Sequence, residues 1–419
     1  MLSTIQIKKM YLEFMEKRGW PVRKSSLLID STFPTSFVIS GAVDWFNYKI
    51  ANDPFGSEGY ATCQRCFRHW DSPDKTHLPF FWMLLNVSWN LHSWEKVMQD
   101  NFDFLTQILK VDASKLEVTY WEGGKVFGSN IKTEADVDGF CKGSEFQSLK
   151  EDGIFIEKDE EAIAIWKRLG IKDEQLIYAG EKSDSFGRDA VLLNAREHFA
   201  GIRSEPYYKF KNGSSFEIGV FLHESHIKKP FALKLNIPDS VLIDSKNEDK
   251  FLLRIKPQVK PGGFGLERIA MAANNLESVF ELEPYSTMKA FLKQTMDADG
   301  DYYRESLAEK ITALIPAIVF TIHDGALLLN RSQNQRRSIY RGALKAVIDD
   351  LRILDLDVDE IYSKLFEITT SFYLQDEEFF GLKGIETTCL DEIKRQKERI
   401  IEDLQTNHKP EKNGKINRA

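Results

Sequence analysis

The chain has 419 residues, 42 % apolar and 29 % charged, proportions that are ordinary for a globular protein with one large core or two to three modest ones. A formal charge of −8 argues against a protein that coats nucleic acid nonspecifically, but it leaves room for a local basic surface that docks one defined RNA. Apolar runs read as too short for a bilayer span and the N-terminus lacks a signal peptide's charged-then-apolar plan, so the expected compartment is the cytoplasm, with no membrane partner.

The spacing of Ile5, Met10, Tyr11, Phe14 and Met15 predicts a helix over 4–18, stopped by Gly19. Ser25 to Ile29 and, after a turn at Phe33-Pro34-Thr35, the alternating Phe37 to Gly41 read as extended chain. Tyr60 to Arg68 has strand composition, and odd spacing puts Arg65 and Arg68 on opposite faces, one able to enter a cleft while the other caps its mouth. Within it, Cys63 and Cys66 form a CxxC with no second ligand pair, so no zinc is expected; with Cys141 and Cys389 they are also too scattered for a disulfide framework. Trp70 to Lys75 forms a turn and His77 to Trp89 a returning strand, where aromatic content alone favours sheet core for Phe80 and Phe81.

A helix over 96–109 and a strand over 115–120 precede a glycine-rich, polar stretch at 121–153, read as an insertion. Asp159 then caps a helix that Trp166 anchors. In Pro261-Gly262-Gly263-Phe264-Gly265-Leu266-Glu267-Arg268, three glycines leave little side-chain bulk, so a ligand can lie against the backbone. Leu266, Ile269, Ala270 and Ala273 recur at helical spacing and place Arg268 in the first turn. A planar fork of donors beside a bare floor suits a stacked base and its phosphates. The plainer alternative is a glycine turn entering a surface helix.

Beyond Asn275 the pattern is wholly helical, over 307–322, 338–351, 354–372 and 389–404, with a stop at His323-Asp324-Gly325 and a polar tail from Gln405. Asn330 to Arg341 is the densest basic run, and Lys394, Arg395, Lys397 and Arg399 form a second cluster. Charge runs between helices are usually solvated, yet amides for base edges and arginines for phosphates also suit RNA.

In this order the segments at 4–46, 60–89 and 261–271 resemble motifs 1, 2 and 3 of the class II aminoacyl-tRNA synthetases, in the Gly-x-Gly-Leu-Glu-Arg form typical of alanyl-tRNA synthetases. The resemblance implies an α+β fold: an antiparallel sheet flanked by helices as the catalytic domain, 1–275, followed by an all-helical acceptor-stem recognition domain, 276–405, and a tail at 406–419. It further implies that Arg65 and Arg268 clamp the α- and γ-phosphates of ATP, with Arg68, His77, Phe81, Gly263 and Gly265 completing the nucleotide site. Asn330, Gln333, Asn334, Arg336, Arg337 and Arg341 would contact tRNA, and Glu205 and Glu217 are the acidic candidates for Mg2+ because that ion takes hard oxygen ligands, surface salt bridges being the alternative. The family's editing and C-terminal domains would lie beyond the tail.

Several positions depart from the family pattern. The motif 2 loop is short, Trp82 stands where the family has glutamate, and Gly187 replaces a tryptophan wall of the amino-acid pocket. Glu217-Ile218 lacks the asparagine that follows it in the family, and the family's Gly-Pro-Cys-Gly-Pro-Cys is missing. Lys260 is aligned with the aspartate that receives the substrate's ammonium, which a lysine would repel by about 4 kcal/mol at an effective dielectric near 20. Gly187, Glu217 and Lys260 therefore imply a changed amino-acid pocket. The expected function is ATP-dependent activation of alanine or a related small acid and its transfer to tRNA. The alternatives are a ligase charging a carrier protein and a catalytically degenerate tRNA-binding paralogue.

Overall fold

The computed structural model describes residues 1–29, 37–38, 41, 57–126, 154–179, 191–192, 199–211, 213–228, 252–296, 301–326 and 334–407. By packing, the chain divides into residues 1–66 with 81–282, and residues 67–80 with 283–419. The expected boundary after Asn275 thus moves to Leu282, and the tip of the first long hairpin joins the helical unit.

In the first unit, Ser3 Oγ accepts the Gln6 N–H while Gln6 Oε1 accepts the Ser3 N–H, a capping box that starts α1 (Thr4–Lys17). Next come β1 (Val22–Arg23), β2 (Glu58–Phe67), β3 (Phe80–Trp89) and α2 (Trp94–Asp103), which widens into a π-helical turn over Phe104–Ile108. β4 (Leu116–Trp121) is followed by β5 (Gly124–Val126) and β6 (Ile154–Ile156), an antiparallel pair that brackets the expected insertion. Asp159 caps α3 (Glu160–Arg168) by accepting the Ala162 N–H at 2.9 Å.

β7 (Leu176–Ala179), β8 (Val191–Leu192), β9 (Phe199–Ser204), β10 (Pro206–Lys209), β11 (Ser215–Glu217), β12 (Gly219–Lys228) and β13 (Leu252–Gly265) then lead into α4 (Leu266–Asn274). The larger sheet has the order β1-β2-β3-β13-β12-β9-β8, parallel between β1 and β2 and antiparallel from β3 through β13, β12 and β9 to β8; the smaller is β11-β10-β4-β7.

Strand alternation gives the larger sheet two distinct faces. One is covered by α1, α2 and α3. Tyr11 donates to Asn101 Oδ1 at 3.2 Å, Asn101 donates to Asn86 Oδ1 at 2.6 Å, Lys8 lies 5.6 Å from the Trp82 ring centre, and Trp166 Nε1 donates to Ser204 Oγ at 2.8 Å. The opposite face carries Cys66, Phe81 and Met83 packed with Val38, while Gln64 and Leu85 converge on Gly41. Met83 and Leu85 lie opposite Gly265 and Gly263 in the β3–β13 register, so both glycines belong to this second face.

The second unit is helical, with α5 (Tyr285–Met296), α6 (Tyr302–His323), α7 (Asn334–Ile353), α8 (Val358–Tyr373) and α9 (Ile385–Asn407). Contrary to the sequence expectation, α6 is long and apolar enough to cross a membrane, but 72 % of its most apolar window is buried in the protein. Its Phe320 ring stacks on Phe80 with centroids 4.9 Å apart. Phe80 is therefore core, as its aromatic character favoured.

Candidate functional site

Gly262 and Gly263 serve the sheet itself. A Cβ at Gly262 would meet Phe221 at 2.5 Å and Val97 at 2.7 Å, and one at Gly263 would lie 2.0 Å from the Leu84 carbonyl oxygen. The run is thus a strand squeezed between β3 and β12, and the space on the Cβ side of these two glycines is taken by protein. Gly265 differs: its nearest neighbours are the Arg268 side-chain carbons, at 3.4 Å and beyond.

Arg268 leaves the first turn of α4 next to Gly265. Its Nη1 donates to the Glu217 carbonyl oxygen at 2.9 Å and lies 3.3 Å from Glu217 Oε2, with the two side chains only 17 % and 12 % exposed. The fork is held by one carboxylate and one carbonyl before any ligand arrives, which limits the side-chain entropy lost on binding. Glu217 is opposite Tyr207 in the β10–β11 register, and Tyr207 donates to Glu205 Oε2 at 3.2 Å. Arg203 Nε lies 3.4 Å from Glu205 Oε1. Ser204 faces the helices, so its neighbour Arg203 faces the other side, that of Gly263 and Gly265. The contacts thus run from Arg203 through Glu205 to Tyr207, and from Arg268 to Glu217 opposite Tyr207. Sequence reasoning gave no site role to Arg203, which precedes the stretch 204–208 that resembles a family strand, or to Tyr207, which lies within it.

Arg65 falls elsewhere. Gln64 and Cys66 point to the face of Gly263 and Gly265, so Arg65 points between them to the face covered by α1 and α2, where it is 3 % exposed. Burial pushes the pKa of the Tyr11 hydroxyl well up, and Cys63, on that same helix-covered side, adds to the rise. The expected convergence of Arg65 and Arg268 on one nucleotide is corrected: the sheet separates them. The two cysteines of the CxxC are separated by the same alternation.

Lys260 also differs from its expected place. It shares the parity of Gly262, whose Cβ direction meets Val97 of α2, and it therefore sits on the helix-covered face, opposite to Gly263, Gly265 and Arg268. The β12–β13 register brings His223 beside it, and His223 Nδ1 lies 3.7 Å from Glu161 Oε2 with the Trp94 ring centre 4.7 Å from the imidazole. Burial lowers the Lys260 ammonium's pKa, and Glu161 opposes that shift. On the other face at this point of β13 stands Pro261.

Phe81 is half-buried against the cluster of Val38 and Cys66. Glu267 is buried and accepts the Trp82 N–H at 3.1 Å. Among the described residues no three acidic, histidine or cysteine side chains gather as a metal site.

Arg68 and His77 lie on the hairpin tip that belongs to the helical unit. The Arg68 N–H donates to Pro79 O at 2.8 Å, and His77 Nδ1 lies 3.0 Å from Asp74 Oδ1. Burial would raise Asp74, but hydrogen bonds from Thr76 and His77 outweigh it and hold the carboxyl below its usual range. Arg336, Arg337 and Arg341 lie on α7, each partly buried, and Tyr340 beside them donates to Glu392 of α9 at 2.9 Å. Gly187, Asn330 and Gln333 are outside the described residues, as is the side chain of Asn334.

Comparison with known proteins gives this arrangement a family. The family model of the class II (A) tRNA synthetases matches residues 6–406. The alanine–tRNA ligase of Elusimicrobium minutum is 24 % identical over 421 residues, covering 95 % of this chain and 44 % of that protein. That of Cytophaga hutchinsonii is 22 % identical over 362 residues, covering 83 % and 36 %. Among solved structures, apo Staphylococcus aureus histidyl-tRNA synthetase covers 70 % of this chain and 75 % of its own at 9 % identity, with a TM-score of 0.33. The chain thus spans less than half the length of these two curated relatives. Matched by the family model over nearly its whole length, the chain belongs to the class II (A) tRNA synthetases, and it is similar to alanine–tRNA ligases.

Proposed function

We propose that the chain activates alanine or a related small carboxylic acid with ATP and passes the acyl group to tRNA. The observation that carries this reading is Arg268, held by Glu217 beside Gly265 on the face of the sheet opposite its covering helices. In the reaction a carboxylate oxygen attacks the α-phosphorus, the bond to the bridging oxygen breaks, and pyrophosphate leaves with the electron pair. No protein nucleophile is needed, only alignment and stabilisation of negative charge. Arg268 is the pre-set cation for the departing phosphates, and its Glu217 contact keeps the guanidinium aimed before ATP binds. Mg2+ takes one or two carboxylates together with substrate phosphates, a demand that Glu205 and Glu217 on either side of Tyr207 fit. When bound, the ion would neutralise phosphate charge, while Arg203 and Tyr207 keep Glu205 in place.

For the acceptor, Arg336, Arg337 and Arg341 place cations along α7, suited to phosphates of an RNA stem. The test is ATP–pyrophosphate exchange with a panel of amino acids, wild type beside Arg268→Ala. Exchange with a small amino acid, lost in the variant, is the expected result; no exchange with any amino acid would overturn the reading. Charging of a carrier protein in place of tRNA would overturn its acceptor half.

A further inference from the structure

β3 outruns its partner. In the β3–β13 register Gly265 is opposite Met83, and level with Trp82 β13 turns into α4. The Trp82 N–H donates to Glu267 Oε2 at 3.1 Å, in the first turn of α4. The residue following Glu267 is Arg268, which reaches in turn to Glu217, the last residue of β11. The helix start is therefore pinned at two successive residues, one to β3 and one to the end of β11.

We propose that Glu267 is the positioning residue for Arg268: its bond to the Trp82 N–H fixes the rotation of α4's first turn and so aims the guanidinium. The inference rests on the nucleotide-binding reading above and deepens it. A residue whose only task is packing would not need a carboxylate here, since Leu266, Ile269 and Ala270 already bury the helix. Among the described residues, charged groups near this contact include Arg268 on the same helix and Lys8 of α1, which lies over the Trp82 ring. Burial draws the Glu267 carboxyl up to about 7, so the site tolerates a neutral acceptor. That predicts which substitution should preserve the geometry.

The experiment measures MgATP affinity by calorimetry on the full chain, corrected for folded fraction, for wild type, Glu267→Gln, Glu267→Asp, Glu267→Ala and Arg268→Ala, with amide hydrogen exchange at Trp82 alongside. Glutamine keeps an acceptor at the same reach, so its affinity should stay within about threefold of wild type. Aspartate, one methylene short, and alanine should weaken MgATP about tenfold or more per folded molecule and speed exchange at Trp82. Wild-type affinity in the aspartate and alanine variants, with binding lost in Arg268→Ala, would overturn the positioning role while sparing the nucleotide site. A wild-type chain that binds no MgATP overturns both, leaving faster exchange at Trp82 as a structural effect alone. If the alanine variant fails to fold, the aspartate and glutamine variants decide.

Discussion

Arg268 Nη1 lies 3.3 Å from Glu217 Oε2, and the same nitrogen donates to the Glu217 carbonyl oxygen. One residue thus supplies two acceptors to one arginine. Replacing Arg268 with lysine removes the planar fork while keeping the charge, and MgATP affinity should fall at least tenfold. A double-mutant cycle of Arg268→Ala and Glu217→Gln, read by thermal unfolding, should give a coupling of about 1–2 kcal/mol.

The glycines separate packing from ligand contact. Gly263→Ala forces a Cβ into the Leu84 carbonyl and should destabilise the fold by about 3 kcal/mol or more, as overpacking against backbone does. Gly265→Ala meets only the flexible Arg268 chain, with backbone angles of −68° and 118° that alanine accepts. It should cost under about 1 kcal/mol in urea unfolding and show its effect in nucleotide affinity.

Arg65 and Arg68 give opposite signatures. Arg65 is buried on the helix-covered side, so Arg65→Ala should lower stability by about 2–4 kcal/mol and leave the ATP KM of the folded fraction unchanged. Replacing Arg68, which the family resemblance assigns to the nucleotide and which lies just past the end of β2, should cost little stability and raise that KM. Pyrophosphate exchange with active-site titration separates the two.

Glu267 gives stability a defined pH slope. Its folded value of about 7 lies above the unfolded 4.5, so the folded state holds the extra proton between them. The stabilisation from this group is full below about pH 4.5 and is lost as pH rises through 7. Glu267→Gln should flatten that slope and be more stable than wild type at pH 8 by up to roughly 3 kcal/mol. Urea melts at pH 5, 7 and 8 provide the check.

Lys260 should not select the amino acid. Because it faces α2 with His223 and Glu161, Lys260→Met should leave the spectrum of amino acids supporting exchange unchanged, and an altered spectrum would contradict the face assignment.

Much of the architecture was legible in the chain because periodicity is local. The capped α1, the start of α4 with Arg268 in its first turn, and the helices α6 to α9 each follow from spacing that the backbone obeys without distant help, whereas the glycine run reads from sequence as a turn or floor and is a strand only because β3 and β12 flank it. Odd spacing even separated Arg65 from Arg68. What local pattern could not state was which of the two faces the helices cover, since that depends on where α1 and α2 pack against β2 and β3. Tertiary packing alone put Arg65 and Lys260 under the helices, left the Trp82 N–H for Glu267, and set Arg203 and Tyr207 beside Glu205. These are contacts between residues far apart in sequence, fixed by sheet register and helix burial, and no single stretch of chain encodes them.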